Sequence, residues 1–415
     1  MLNGARSVET SSMPDQQRSD RVKSEPTAIA PFLLLLFLGT ICSAMIVPFM
    51  GYFLVEGLGH EPQIISVYSV MAVCLTVLAN RSFAERIDNG DNVFPLIGIA
   101  ALGSLLATLS LALAPNLWTA LSIGVLGFGI SSSAISTMFS LGGNLAERHA
   151  IERSRFNAYM RATSSTAWML GPAITFLLAD QISTQAVFVT AFSVTVIWLC
   201  LWWLVLPHNV TAAKVVLSEN ADATEDNSNA LWLAAAFIFC LSLAHSLTFT
   251  SLPLFYVQEV GLPGYAPGIA FSMKTFIEVI AVFSTPVLIT RFGMRNALLA
   301  TTLLAVVTIQ FLALVSSFPQ MLFGAALEGL YYGLYAGIGI SYIQSFVPER
   351  PARATAIYWN CLMISGLMAG PVVGLIAQVS SFQTVVQTAV GVAFCAVLVL
   401  MFGSRTKSQS RQQVN

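Results

Sequence analysis

Two charged residues in one apolar segment are the first candidates for chemistry in this chain. Lys274 and Glu278 lie four residues apart in SMKTFIEVIAV, so both side chains share one face of a helix. A charged side chain at the centre of a bilayer costs about 3 kcal/mol on insertion scales, so it usually faces water or a partner. Two interpretations follow. The pair is either an ion pair that neutralises itself within the packing, or a site where Glu278 binds a proton during transport while Lys274 controls its ionisation.

A carboxylate among tyrosines is the second candidate. In LEGLYYGLYAGIGISYIQ, the residues Glu328, Tyr331, Tyr335 and Tyr342 are spaced so that they fall within one broad helical stripe. A tyrosine offers a ring for stacking and a hydroxyl for hydrogen bonding. This combination suits a neutral polyhydroxylated ligand. The alternative is an aromatic packing stripe in which Glu328 bonds to a neighbouring helix.

Other polar residues inside apolar runs have a simpler interpretation. His245, Gln310 and Asn360 each lie in such a run, where a hydrogen bond between helices explains a polar side chain. Arg161, in AYMRATSS, lies near the start of another run. Its long side chain either extends to the interface or projects into an inner vestibule and pairs with an acid of the opposite half.

The chain lacks the residue patterns of an enzyme. Its four histidines and six cysteines form no cluster with metal-ligand spacing, and it contains no phosphate-binding glycine loop. We therefore expect no catalytic residues, no bound metal and no cofactor. The formal net charge of −1 gives no indication of a nucleic-acid partner.

The composition indicates an integral membrane protein. The chain of 415 residues is 56% hydrophobic and 9% charged, whereas roughly a quarter of an ordinary soluble domain is charged. A helix needs about 20 apolar residues to cross the bilayer, and twelve such runs are present. They lie at 29–55, 63–83, 94–114, 117–141, 157–179, 184–206, 230–255, 266–290, 295–315, 319–345, 354–378 and 383–403.

Polar segments divide these runs into two halves. We predict a cytoplasmic tail at 1–28, a six-helix bundle at 29–206, a linker at 207–229, a second six-helix bundle at 230–403 and a cytoplasmic tail at 404–415. The halves repeat weakly, because the fifth helix reaches Gly171-Pro172 and the eleventh reaches Gly370-Pro371 about 20 residues after an arginine-containing loop.

The distribution of basic residues fixes the orientation. Alternate loops between the predicted helices contain all of the 19 Lys and Arg residues except Lys274. Cytoplasmic loops are rich in Lys and Arg, so we predict that these loops and both termini are cytoplasmic. The basic residues on this side are Arg6, Arg18, Arg21, Lys23, Arg81, Arg86, Arg148, Arg153, Arg155, Arg161, Lys214, Arg291, Arg295, Arg350, Arg353, Arg405, Lys407 and Arg411.

Several segments resemble a known family. FAERIDNGDNVF resembles the loop signature of the major facilitator superfamily through Arg86, Asp88 and Gly90, although the basic residues usual after the glycine are missing. The segments MRATSSTAWMLGP, PGIAFSMKTFIEV and AGIGISYIQSFVPERPARATAIYWN are similar to the sugar efflux transporter family of bacterial inner membranes. Ser251, Lys274 and Glu328 depart from that pattern, which expects an acid, a small residue and an amide there.

The resemblance implies a fold and an activity. The fold is all-α and integral to the membrane, with twelve transmembrane helices in two pseudo-symmetric six-helix bundles. The activity is export of small sugars, such as mono- or disaccharides or glycosides, by alternating access in exchange for protons. We expect a monomer in the cytoplasmic (inner) membrane whose partners are the sugar, protons and lipid.

Residue roles follow from this combined interpretation. We predict that Glu278 and Lys274 couple proton movement. The predicted substrate-binding residues are His245, Glu328, Tyr331, Tyr335 and Asn360. The predicted gating or structural residues are Arg86, Asp88, Arg161, Gly171, Pro172, Gly370 and Pro371. The alternative functions are export of drugs or other amphipathic solutes, and sensing by a membrane protein that keeps this fold without transport.

Overall fold

The computed structural model describes residues 28–149, 151, 153–211, 228–347 and 351–412, and within them the chain forms twelve helices. The first six are α1 (Ile29–Gly57), α2 (Gln63–Asp88), α3 (Val93–Leu113), α4 (117–148), α5 (Arg153–Gln181) and α6 (Thr184–Val205). The second six are α7 (Ser228–Leu254, then a π turn at Phe255–Glu259), α8 (Ala266–Phe292), α9 (Met294–Leu312), α10 (Phe318–Gln344), α11 (Pro351–Val379) and α12 (Phe382–Gln412).

The all-helical membrane fold predicted from the sequence is confirmed. Ten of the helices in the described part of the chain are long and apolar enough to cross a membrane by length and composition. The other two are α5 and α10, whose hydropathy is lowered by Arg, Ser and Thr residues in α5 and by Gly, Tyr and Glu residues in α10. Glu328, Tyr331 and Tyr335 of α10 are buried within the protein, whereas Arg155, Asn157 and Arg161 of α5 are exposed.

The two halves pack their helices in the same order. In the first half, α1 contacts α5 and α6, α3 contacts α4 and α6, and α2 contacts α4. Each of these pairings recurs in the second half, where α7 contacts α11 and α12, α9 contacts α10 and α12, and α8 contacts α10. The halves are therefore two six-helix bundles related by a pseudo-two-fold axis.

Two helix pairs make most of the contact between the bundles, α2 with α11 and α5 with α8. At the first, Ser66 Oγ donates a hydrogen bond to the carbonyl oxygen of Pro371 (2.9 Å). At the second, Gly268 lies against the carbonyl oxygen of Pro172, and a Cβ added to the glycine would lie 2.7 Å from that oxygen. Both helix pairs are thus in close backbone contact beside a proline.

The two ends of the molecule differ in charge. The acidic end carries Glu56, Glu61, Asp180 and Glu259 near the ends of α1, α2, α5 and α7, and its described loops contain no Lys or Arg. The opposite, basic end carries the arginines of the described loops and helix ends. They include Arg81, Arg86, Arg148, Arg153, Arg155, Arg291 and Arg295.

The bundles are tied together at the acidic end. Gln258 Nε2 donates to Glu56 Oε2 (2.8 Å), and the Gly264 N–H donates to Asp180 Oδ1 (3.0 Å). The Gln63 N–H donates a hydrogen bond to the amide oxygen of Gln378, at the end of α11 (3.2 Å). These hydrogen bonds join the two bundles, so the molecule is closed at its acidic end.

Parts of the predicted tail and linker lie outside the described residues, and the last helix is longer than predicted. Residues 1–27 of the predicted tail, and residues 212–227 of the predicted linker, are outside them. The start of the linker returns to the first bundle, because the Val93 N–H donates to the Val210 carbonyl oxygen (2.7 Å). Helix α12 continues to Gln412, beyond the apolar run that was predicted to end at 403.

Candidate functional site

A cavity of about 1260 Å³ lies between the two bundles. Its first-bundle wall is formed by α2, α4 and α5, with Val47 of α1, and its second-bundle wall by α7, α8, α10 and α11. The polar and aromatic residues that line it are Asn80, Ser132, Ser136, Phe139, Ser140, Asn157, Arg161, Ser164, Ser165, Trp168, His245, Ser246, Phe249, Thr250, Phe271, Lys274, Thr275, Glu278, Tyr332 and Trp359.

Lys274 and Glu278 form the charged centre of the second-bundle wall. The Lys274 Nζ donates to Glu278 Oε2 at 2.6 Å, the i, i+4 contact that their spacing allows. The side chain of Lys274 is 9% exposed and that of Glu278 is 24% exposed. Both residues line the cavity, and Glu278 is the more accessible partner.

Close packing of α10 on α8 holds this pair in place. Gly329 lies against the carbonyl oxygen of Lys274, and Gly333 lies against that of Glu278. A Cβ added to either glycine would overlap the oxygen beside it, at a separation that real contacts do not reach. Glycine at both positions therefore lets the backbones touch at the height of the ion pair.

The Tyr332 ring connects the ion pair with His245. Lys274 Nζ lies 4.3 Å from the Tyr332 ring centroid on one side. The His245 ring stacks on Tyr332, with centroids 3.7 Å apart and an interplanar angle of 22°. A cation over an aromatic face is attracted by the ring quadrupole, so Tyr332 helps to hold both side chains.

Glu328 lies behind this layer. It is 3% exposed, and its Oε1 lies 3.5 Å from His245 Nδ1, which also lies 3.2 Å from the Tyr331 hydroxyl. Oε1 of Glu328 has no hydrogen-bond partner within the described part of the chain. The carboxylate is thus separated from the cavity by His245 and Tyr332, and His245 is the polar group between them.

The second tyrosine of the predicted stripe packs inside the second bundle. Tyr335 is fully buried, donates its hydroxyl to the Ile238 carbonyl oxygen (3.0 Å) and accepts a hydrogen bond from Ser242 (2.7 Å). These contacts join α10 to α7. The tyrosine that lines the cavity is Tyr332, one residue round the helix from Tyr331.

A model of the Major Facilitator Superfamily matches residues 32–307 and again 234–414. The chain belongs to the major facilitator superfamily. It is 25% identical over 375 residues to sugar efflux transporter C of Escherichia coli, covering 90% of this chain and 95% of that protein. It is also 25% identical over 374 residues to sugar efflux transporter B of Salmonella typhimurium, covering 87% of this chain and 94% of that protein.

A crystal structure of the nucleoside transporter NupG has the same fold, with a TM-score of 0.74 and 14% sequence identity. The match covers 90% of this chain and 98% of that one. The major facilitator fold thus extends over nearly all of the chain, and the relatives that share it are membrane transporters.

Apart from Arg161, which lines the cavity, the predicted gating residues lie at three different places. Pro172, Gly370 and Pro371 lie where the bundles meet, since Gly370 packs on Ser69 of α2. Gly171 packs on Ala44 of α1 within the first bundle. Arg86 and Asp88 are at the basic end of α2. The Asp91 N–H donates a hydrogen bond to the backbone carbonyl oxygen of Arg86 there (3.0 Å).

The five predicted substrate-binding residues do not all line the cavity. Of the five, His245 lines the cavity. Glu328, Tyr331 and Tyr335 are buried behind it, and Asn360 is exposed beside Trp359, which does line the cavity. Arg161 also lines the cavity, although it was predicted as a gating residue.

The polar wall of the first bundle was not predicted from the sequence. Ser132, Ser136 and Ser140 recur at four-residue intervals along α4 and all line the cavity. Asn157, Arg161, Ser165 and Trp168 form a comparable stripe on α5. The regular spacing of small polar residues in an apolar run was the available signal, but attention to charged residues alone does not find it.

Proposed function

We propose that the protein exports small sugars across the cytoplasmic membrane by alternating access, in exchange for protons. The observation that carries the proposal is the cavity between the bundles, which combines hydroxyl, amide and aromatic side chains with a titratable ion pair. Hydroxyls and amides hydrogen-bond the hydroxyls of a sugar, and aromatic rings stack on its apolar faces. The names of the relatives, sugar efflux transporters, support the same class of substrate.

The distribution of arginines orients the proposed cycle. The basic end faces the cytoplasm under the rule for Lys and Arg in loops. The acidic end is then the outer end, where Glu56 and Asp180 receive hydrogen bonds from the second bundle. In this orientation the cavity loads sugar from the cytoplasm while the outer contacts are closed, and rocking of the bundles about the α2–α11 and α5–α8 pairs exposes it to the outside.

Proton coupling is assigned to Glu278 and Lys274. With Glu278 ionised, its bond to Lys274 neutralises both charges within the wall. A proton that enters from outside binds Glu278 and releases Lys274 from the carboxylate, which changes the charge of the wall when the cavity faces outward. Because the protonated and unprotonated pairs differ in their contacts, the proton biases the return step.

We assign some of these residues to direct contact with the sugar and others to holding the contact residues in position. His245 and Tyr332 contact the sugar directly from the second-bundle wall. Glu328, Tyr331 and Tyr335 fix the positions of His245 and α7 from behind. Asn360 contacts the sugar when α11 moves during the cycle, since it is exposed next to the lining residue Trp359.

The test is transport by purified protein in inside-out vesicles with a substrate panel. The panel holds radiolabelled mono- and disaccharides together with hydrophobic cations, and a proton pump acidifies the vesicle interior. We expect accumulation of sugars and no accumulation of hydrophobic cations. Accumulation of the cations alone would identify an exporter of amphipathic solutes, and sugar binding without accumulation would identify a sensor.

A further inference from the structure

We propose that the preferred substrate is a sugar carboxylate, such as a hexuronate, and that Arg161 binds its carboxylate group. This inference rests on the proposed function, since it specifies the sugar that the cavity exports. It comes from the charges of the cavity wall. The ionisable residues that line the cavity are Arg161, His245, Lys274 and Glu278.

Arg161 is the cation of this set that has no counter-charge among the residues that the structure describes. Among the described residues, no carboxylate lies within 4 Å of its guanidinium, and it makes no hydrogen bond. Lys274, in contrast, is occupied by Glu278 at 2.6 Å and by the Tyr332 ring. An arginine presents its donors in a planar fork that matches a carboxylate with two hydrogen bonds, so a bound carboxylate would satisfy the free charge.

The surroundings of Arg161 suit the rest of a sugar. On α5, Asn157 lies one turn before Arg161 and Ser165 lies one turn after it. Trp168 lies one turn beyond Ser165, and all of these residues line the cavity. Oγ of Ser164 and Oδ1 of Asn80 also belong to lining residues, and neither atom has a hydrogen-bond partner within the described residues although both are buried. Buried polar atoms without a partner are uncommon and indicate a ligand or water position.

The serines of α4 present hydrogen-bond acceptors to the same space. Ser132, Ser136 and Ser140 each donate their hydroxyl proton to a backbone carbonyl of α4, at 2.7 Å, 3.0 Å and 3.1 Å. Their oxygens keep free lone pairs and accept from a ligand. A wall of acceptors beside a free guanidinium matches a molecule that has several hydroxyl donors and one anionic group.

The charge balance favours a carboxylate over a phosphate ester. With Lys274 and Glu278 paired, the described lining residues carry one positive charge, on Arg161, that no described carboxylate compensates. A sugar carboxylate carries one negative charge and neutralises the cavity. A phosphate monoester at pH 7 carries between one and two negative charges, which exceeds the one positive charge. A neutral sugar leaves Arg161 without a partner, so its affinity is lower.

The experiment compares glucuronate, glucose and glucose 6-phosphate as radiolabelled substrates in inside-out vesicles, for the unchanged protein and for Arg161→Gln. We expect glucuronate to be transported with the lowest KM of the three. Arg161→Gln should raise the KM for glucuronate roughly tenfold to a hundredfold, the effect of losing a hydrogen bond to a charged group. The KM for glucose should change less than about threefold, and Arg161→Lys should restore only part of the glucuronate affinity, because lysine supplies the charge but not the planar fork.

Arg155→Gln is the matched control. Arg155 lies on the same helix, bonds to the Tyr159 hydroxyl (2.8 Å) and does not line the cavity, so its loss should leave both KM values unchanged. A thermal-shift titration of the detergent-solubilised protein with glucuronate gives a second readout, in which Arg161→Gln should remove the shift.

Three outcomes overturn the inference. Transport of glucose without glucuronate leaves the proposed function intact and refutes the role of Arg161. An equal loss of glucose and glucuronate transport in Arg161→Gln, with no change in the KM ratio, assigns the arginine to the packing. Failure to transport any of the three refutes the inference, and the wider panel of mono- and disaccharides then decides whether the proposed function itself holds.

Discussion

Glu56 and Gln258 occupy equivalent positions in the two bundles and hydrogen-bond to each other. They are 202 residues apart, and Gln258 Nε2 lies 2.8 Å from Glu56 Oε2. Each is the fourth residue of a π turn, Phe53–Gly57 in α1 and Phe255–Glu259 after α7. A contact between equivalent residues lies at the pseudo-two-fold axis, so this pair marks the point where the bundles close on each other at the acidic end.

Cross-linking this pair should stop transport. In a variant that carries Glu56→Cys and Gln258→Cys, a short bifunctional thiol reagent should hold the acidic end closed and reduce transport to background, because alternating access requires this end to open. Cleavage of a reducible cross-linker should restore it. The exposed native cysteines, Cys74, Cys200 and Cys395, are first replaced by serine. Each single-cysteine variant serves as the control, and full transport by the cross-linked double variant would contradict a cycle that opens here.

Removing the close contact between α8 and α10 should destabilise the protein. The Cβ of Gly329→Ala would overlap the Lys274 carbonyl oxygen, so the two helices must separate, at a cost of about 1–3 kcal/mol for overpacking. The apparent Tm in detergent should fall by several degrees, and transport should fall with it.

Gly391→Ala is the control for this substitution. Gly391 has nothing within 4 Å of an added Cβ, and alanine is favoured over glycine within a helix by up to about 1 kcal/mol. The Tm of Gly391→Ala should therefore be unchanged or slightly higher. Equal effects of the two substitutions would mean that the glycine contact does not position α8.

Lys274 and Glu278 should depend on each other for stability. Lys274→Met leaves the carboxylate without its partner, and breaking a buried ion pair costs up to about 3 kcal/mol here, since Glu278 is 24% exposed and partly hydrated. The double variant Lys274→Met/Glu278→Gln should recover most of the loss in Tm. If the double variant is as unstable as the sum of the single variants, the two residues do not act as a pair.

The Tyr332 ring should matter more than its hydroxyl. Tyr332→Leu removes the ring that we propose contacts the sugar, along with its contacts to Lys274 and His245. An aromatic contact to the sugar worth about 1–2 kcal/mol corresponds to a rise in KM of roughly tenfold. Tyr332→Phe keeps the ring and should have a smaller effect. Tyr342→Leu is the matched control on the same helix outside the cavity, and an equal rise in KM there would refute a direct contact by Tyr332.

Much of the fold follows from the sequence. Twelve apolar runs correspond to the twelve helices of the described residues, because each run is long enough to cross the bilayer. Helix ends were predicted less well. Helix α2 continues to Asp88 and α4 to Arg148, beyond the apolar runs that end at 83 and 141, since polar residues at the basic end extend the helices into water.

The site was harder to predict because periodicity does not say which face of a helix meets the cavity. The spacing placed Tyr331 and Tyr335 on one stripe, but that stripe faces α7, and Tyr332 faces the cavity instead. The ion pair was easier to predict, since Lys274 and Glu278 contact each other within one helix. Contacts between helices, such as Glu56 with Gln258, depend on tertiary packing that a single sequence does not encode in its local spacing.

The most direct test of the central claim is sugar accumulation in inside-out vesicles with and without a proton gradient, for the unchanged protein and for Glu278→Gln. The account predicts that the unchanged protein accumulates sugar when the interior is acidified, and that Glu278→Gln loses this accumulation while it still exchanges sugar down a concentration gradient. Accumulation by Glu278→Gln equal to that of the unchanged protein would contradict the assignment of proton coupling to this carboxylate.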